Sequence, residues 1–121
     1  MGGHSAGATT VLNSAYGIKS PVKAVFPLSP TVAGYDFAKV ITSSELPAML
    51  LVMSQNDLPV IRHTVPPLMN TAKNSGIDYN FAWVPGFGHF YPSGAVSLGN
   101  KGVRISVGER VIEFLDRHLK N

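Results

Sequence analysis

The chain has 121 residues, enough for one domain with a buried core, and 45% of them are hydrophobic, which excludes a disordered chain. Its net charge of +3 comes from scattered residues with no Lys or Arg cluster, so nucleic acid is not an expected partner. No cysteine is present, which excludes disulfides and thiolate metal sites but leaves the compartment open, and no apolar run approaches the ~18 residues of a membrane helix.

The chain opens on Gly3-His4-Ser5-Ala6-Gly7, a G-x-S-x-G pentapeptide. Residues 6–16 read as a helix: Ala8, Val11, Leu12 and Ala15 share one face, and Gly17 follows as a helix-ending glycine. Residues 22–26 read as a short strand, stopped by Pro27 and Pro30. Residues 31–44 form a connector with one short helix near 36–40. Ala48–Ser54 is the clearest strand, apolar nearly throughout, which predicts burial on both faces as in a parallel sheet. Residues 55–59 read as a loop. A helix is predicted over 66–74, because proline suits a first helical turn, with Gly76 closing it. Tyr79–Val84 reads as a third strand. A turn-rich loop follows at 85–90, then an irregular stretch to about Ile105. Ser106 and Glu109 form a capping box that opens the last helix, whose apolar face carries Val111, Ile112, Leu115 and Leu119.

This alternation predicts an α/β layered fold with a parallel sheet. No repeat, low-complexity tract or linker divides the chain, so one domain over 1–121 is expected.

A serine hydroxyl is a weak nucleophile at neutral pH. It needs a base, and the base needs an orienting group. Ser5 lies between two glycines, which are expected to keep side chains from colliding with the neighbouring strand and helix. Asp57 lies just past the strand ending at Ser54, and His89 just past the strand ending at Val84. Open parallel sheets place their sites at such carboxyl ends. Each residue has a plainer reading: Ser5 as a helix N-cap, Asp57 as a solvated turn, His89 as a loop residue bonded to backbone. Asp36, after the first strand, is a rival acid; Asp78 falls at the wrong end of its strand. His63 and His118 read as surface positions, His4 as a packing residue, and Trp83, Met49, Met53 and Met69 as core. No residue set has metal-ligand spacing and no glycine-rich loop reads as a phosphate cradle, so no metal or cofactor is expected.

Three segments together resemble the C-terminal half of an α/β-hydrolase, of the esterase and dienelactone-hydrolase-like group. They are Gly3-His4-Ser5-Ala6-Gly7, Leu50-Leu51-Val52-Met53-Ser54-Gln55-Asn56-Asp57 and Val84-Pro85-Gly86-Phe87-Gly88-His89-Phe90, followed by a closing helix with Phe114-Leu115. Their order, Ser then Asp then His, is the order of that family. The resemblance spans essentially the whole chain. It implies a partial α/β-hydrolase fold, about three parallel strands flanked by helices, with the N-terminal strands missing. It implies Ser5 as nucleophile, His89 as general base and then acid, Asp57 as orienting carboxylate, and the Ala6 N–H as one oxyanion-hole donor. His4, Phe87 and Phe90 are expected to line the substrate site, and Tyr91, beside them in sequence, is a further candidate lining residue. The implied reaction is hydrolysis of a small-molecule carboxylic ester through an acyl-enzyme. The short connector at 31–47 leaves no room for a large lid, which favours small or soluble esters. The alternative is a non-catalytic fragment that carries these residues by descent and needs a partner chain or an N-terminal half.

The strand before Ser5 is expected to be very short and to lie at an exposed sheet edge, which invites pairing with another chain. Light scattering of the concentrated protein is expected to show self-association. A clean monomer would overturn that expectation.

Overall fold

An extended segment that is apolar on both faces needs cover on both sides. Ala48–Ser54 (β3) buries Met49, Leu50, Leu51 and Val52 and lies between two parallel strands, Ala24–Leu28 (β2) and Tyr79–Val84 (β4). Gly2–His4 (β1) pairs in parallel with the far side of β2. On the other flank, Val96–Gly99 (β5) and Arg104–Ser106 (β6) add as an antiparallel pair, giving the order β1-β2-β3-β4-β5-β6. The computed structural model describes residues 2–17, 23–30, 37, 41, 46–99 and 102–119.

Successive side chains of a strand point to opposite faces. Met49 and Leu51 therefore join one core with Ala6–Gly17 (α1) and Pro59–Asn74 (α2), through Leu12, Ala15 and Tyr16 of α1 and Ile61, Val65 and Leu68 of α2. Leu50 and Val52 join the opposite core with Val107–Leu119 (α3), through Val107 and Phe114. The result is a three-layer α/β fold. The predicted class and the three predicted strands stand; the very short strand expected before Ser5 is β1, and β5 and β6 are additional.

Several boundaries differ from the sequence reading, each for a physical reason. β2 does not stop at Pro27 but passes it to Leu28. Proline has no N–H for a ladder, and the β2–β3 register accommodates this: it pairs Ala24, Val25 and Leu28 and skips the two residues between. α2 begins at Pro59, not Pro66; Pro59 fills the first-turn position, and Pro66 and Pro67 lie inside the helix. A buried stripe of Ile61, Val65, Leu68 and Ala72 against the sheet holds the helix through that interruption. Its end is as predicted: Gly76 takes φ +81°, its N–H bonds Lys73 O, and the Ile77 N–H bonds Ala72 O, a Schellman closure.

The stretch read as irregular before Ile105 contains the β5–β6 hairpin. Its strands are four and three residues long, too short for a periodic signal. It is held from outside itself: Arg110 on α3 donates from Nε to Ser97 Oγ at 2.6 Å and from Nη2 to Val103 O at 2.6 Å. α3 starts as predicted, with the Glu109 N–H donating to Ser106 Oγ at 3.1 Å. Its buried face is centred on Val107 and Phe114, with Val111 and Leu115 packed beside them. Ile112, at 62% exposure, and Leu119 face outward, contrary to the sequence reading. His118 is not a surface residue either. Its side chain is only 16% exposed, and its ring lies 4.8 Å from that of Phe114. The predicted short helix at 36–40 lies outside the described residues, apart from the buried Phe37.

Candidate active site

Because β1 to β4 run parallel, their carboxyl ends gather at one side of the sheet. Ser5 follows β1, Ser29 follows β2, Asp57 lies just past β3, and His89 lies on the loop after β4. The site is made by register.

Ser5 has φ +60°, a left-handed conformation that a side chain adopts only under constraint. Its N–H still reaches across to Leu28 O at 2.8 Å, while its carbonyl accepts the Ala8 N–H at 3.0 Å and starts α1. The chain thus turns from strand to helix within one residue. Gly3 makes the turn possible: a Cβ there would meet Gly7 O at 2.5 Å. Gly7 itself has open space around it, so only one of the two motif glycines has the steric role expected for both.

Ser5 Oγ lies 2.9 Å from His89 Nε2, and His89 Nδ1 lies 2.8 Å from Asp57 Oδ1. An ionised carboxylate only accepts, so Nδ1 carries the proton of a neutral His89. Nε2 is then free to accept the Ser5 hydroxyl. Asp57 is 3% exposed and fully occupied. Oδ1 also accepts the Leu58 N–H at 3.0 Å; Oδ2 accepts the Ser29 hydroxyl at 2.6 Å and the Ser54 N–H at 3.2 Å. Burial pushes its carboxyl up, and the hydrogen bonds from Ser29, His89 and the Ser54 backbone more than offset this, so it is held below the ordinary carboxylate range.

The histidine loop is pinned to the acid loop by backbone and side chain. The Asn56 N–H bonds Phe87 O at 3.1 Å, and the Gly86 N–H bonds Gln55 Oε1 at 2.9 Å. His4 holds His89 from the other side. Its Nε2 lies 2.8 Å from His89 O, which only accepts, so His4 carries its proton there. Its ring sits 4.7 Å from the His89 ring.

Ser5, Asp57 and His89 are therefore brought together. Ala6 is the first residue of α1, where a backbone N–H has no acceptor within the helix. An apolar cavity of about 760 Å³ opens beside the site, lined by His4, Leu28, Phe90, Tyr91, Val111 and neighbours. Ser5 does not line it; the two meet at His4. Phe90 is 79% exposed, and Phe87 is exposed outside this cavity. Asp36 lies outside the described residues. Asp78 is exposed at the start of β4, the opposite end of the sheet, and His63 is exposed on α2. Among the described residues no cluster could hold a metal ion. Tyr91, one of the aromatic residues near His89 in sequence, lines the apolar cavity, whereas Ser29 had no sequence signal as a site member beyond its position just past a strand.

No family model and no curated protein matches this chain. Solved structures do match in fold. Esterase PE8 superposes with a TM-score of 0.70 at 21% identity, over 97% of this chain and 48% of its own. SOBER1 of Arabidopsis thaliana gives 0.68 at 18%, over 98% and 52%. The thermophilic esterase Est2 of the Planctomycetes species Thermogutta terrifontis gives 0.61 at 14%, over 96% and 52%. This chain spans about half the length of the structures it matches.

Two measurements test this geometry. Gly7→Ala is expected to be tolerated or to stabilise by up to ~1 kcal/mol, as alanine replaces glycine within a helix, whereas Gly3→Ala is expected to destabilise. Urea melts of the two variants decide it, and equal stability would refute the elbow packing. The second concerns acid. The folded pKa of Asp57 lies below its unfolded value of about 3.9. Its stabilisation is therefore complete above that value and lost as pH falls through the folded one. Stability is expected to drop below about pH 4, and Asp57→Asn to flatten the drop. An unchanged slope in the variant would show that Asp57 is not the group responsible.

Proposed function

We propose that this chain, which has the fold of the C-terminal half of an α/β-hydrolase, carries the catalytic residues of a serine hydrolase that cleaves carboxylic esters through an acyl-enzyme. The observation that carries the reading is the unbroken line from Ser5 Oγ through His89 to Asp57, at 2.9 and 2.8 Å.

In this reading Ser5 Oγ attacks the ester carbonyl while His89 Nε2 takes its proton. Asp57 stabilises the imidazolium and keeps the ring in its tautomer. The Ala6 N–H meets the oxyanion of the tetrahedral intermediate. Collapse expels the alcohol, which takes the proton back from His89. A water, deprotonated by His89, then attacks the acyl carbon; as the Ser5 Oγ–acyl bond breaks, His89 returns the proton to Ser5 Oγ and the carboxylic acid leaves. His4 and Phe90 border the apolar cavity, which suits the hydrocarbon part of an ester, while Phe87 is exposed and does not line it. Two of the fold relatives are named esterases, in keeping with this chemistry.

The second reading is a non-catalytic piece. It is favoured by one observation: Ser5 follows a three-residue strand at an edge of the sheet, paired on one side only among the described residues. Fluorophosphonate labelling followed by intact mass separates the two. One adduct on the parent chain, absent from Ser5→Ala and formed ~10⁴-fold more slowly in Asp57→Asn, is expected for the hydrolase. No adduct on a chain whose circular dichroism is that of a folded α/β protein would favour the non-catalytic piece.

A further inference from the structure

Only two described residues other than glycine have positive φ: Ser5 at +60° and Ser29 at +51°. They are built alike. Each is the first residue past a parallel strand, β1 or β2. Each sends its N–H to the neighbouring strand, Ser5 to Leu28 O and Ser29 to Val52 O, both at 2.8 Å. One strained serine holds the reactive hydroxyl. The other is fully buried, and the reading of Ser5, His89 and Asp57 assigns it nothing.

A left-handed turn is made with least strain by glycine, so a serine there calls for a reason in its hydroxyl. Ser29 Oγ lies 2.6 Å from Asp57 Oδ2, the shortest bond that carboxylate receives and within the charge-assisted range. Ser29 Oγ also lies 3.0 Å from the Tyr91 hydroxyl. The direction of that second bond follows from counting protons. Ser29 has one, and it is committed to the acceptor-only carboxylate, so Tyr91 must donate to Ser29.

We propose that Ser29 is a positioning residue of the site and that Tyr91 acts through it, in a directed chain in which Tyr91 donates to Ser29, Ser29 to Asp57, His89 to Asp57 and Ser5 to His89. Ser29 fixes the carboxylate from the side opposite His89. Tyr91 polarises Ser29 and closes the top of the network, its ring edge-on to His4 at 5.6 Å. Burial pushes the Tyr91 hydroxyl up to about 12, so it remains a neutral donor across the working range. The groups facing the Asp57 carboxylate are the Ser29 hydroxyl from the β2 end, the Ser54 and Leu58 N–H groups of its own segment, and His89 and Tyr91 from the loop after β4. Of these only His89 and Tyr91 are ionisable side chains.

The functional consequence rests on the proposed hydrolase reading; the hydrogen-bond chain does not. The test therefore uses two readouts on the chain as it stands, with Ser29→Gly, Tyr91→Phe and the double variant. Ser29→Gly suits the left-handed backbone and removes only the hydroxymethyl group, so it is expected to fold. The first readout is the titration of the Asp57 carboxyl carbon by NMR. The midpoint is expected to rise in Ser29→Gly, to rise less in Tyr91→Phe, and to show no further effect of Tyr91→Phe once Ser29 is glycine. The second is the fluorophosphonate labelling rate of Ser5. It is expected to fall between roughly tenfold and a hundredfold in Ser29→Gly, the worth of one hydrogen bond to a charged group, with the same non-additivity. An unchanged Asp57 midpoint in Ser29→Gly, or a Tyr91→Phe effect equal in both backgrounds, would overturn the proposal. A parent chain that is never labelled, but whose Asp57 midpoint responds as described, would sink the hydrolase reading and leave the positioning of Asp57 by Ser29 intact.

Discussion

A buried carboxylate is stable in its charged form only if its oxygens are met by donors. Asp57 meets that condition with donors from several parts of the fold: Ser54 at the end of β3, Leu58 just before α2, Ser29 at the end of β2 and His89 beyond β4. None of the long-range donors can be supplied unless β2, β3 and β4 stand in their observed register. The charge at Asp57 and the order of the sheet therefore depend on each other, and the site is a product of that dependence.

The same economy appears in the backbone. Ser5 and Ser29 each leave a strand in a left-handed conformation, which costs of order 1–3 kcal/mol where the residue is not glycine. In both cases a hydrogen bond to the adjacent strand holds the residue in place. In both the hydroxyl is directed at the Asp57–His89 pair, from opposite ends. Strain and chemistry coincide at these two positions, the pattern expected where a fold keeps a costly conformation for what its side chain does.

The sheet is unevenly supported. β3 is flanked on both sides by strands of five and six residues, whereas β1, which precedes Ser5, has three residues and one described neighbour, β2. The matched structures carry about as much chain again beyond the matched portion. The acid and histidine loops are tied to each other by Gln55 and by backbone bonds, which hold Asp57 and His89 against one another. Ser5 joins them through His89 Nε2 and through Leu28 O.

Much of this was legible in the sequence because it is local. An apolar run such as Ala48–Ser54 has one good solution, a strand covered on both faces, and the G-x-S-x-G turn, the Ser106–Glu109 cap and the Gly76 closure are each decided within a few residues. The positions of Asp57 and His89 past their strand ends followed from those strands. What the sequence did not reveal is non-local. Pro59 and Pro66 look alike until the buried stripe on α2 decides between them. The β5–β6 hairpin is anchored by β4 and by Arg110 on a later helix, both outside its own segment. Ser29 is an ordinary serine beside a proline until the register of β2 on β3 brings its hydroxyl 2.6 Å from a carboxylate 28 residues away. Local pattern determined β3, β4, α1 and the cap of α3, and which residues were candidates for reaction. Only tertiary structure decided which hydroxyl meets which acid, because a hydrogen bond across a sheet is set by register, which depends on two segments distant in sequence and is not specified by either one alone.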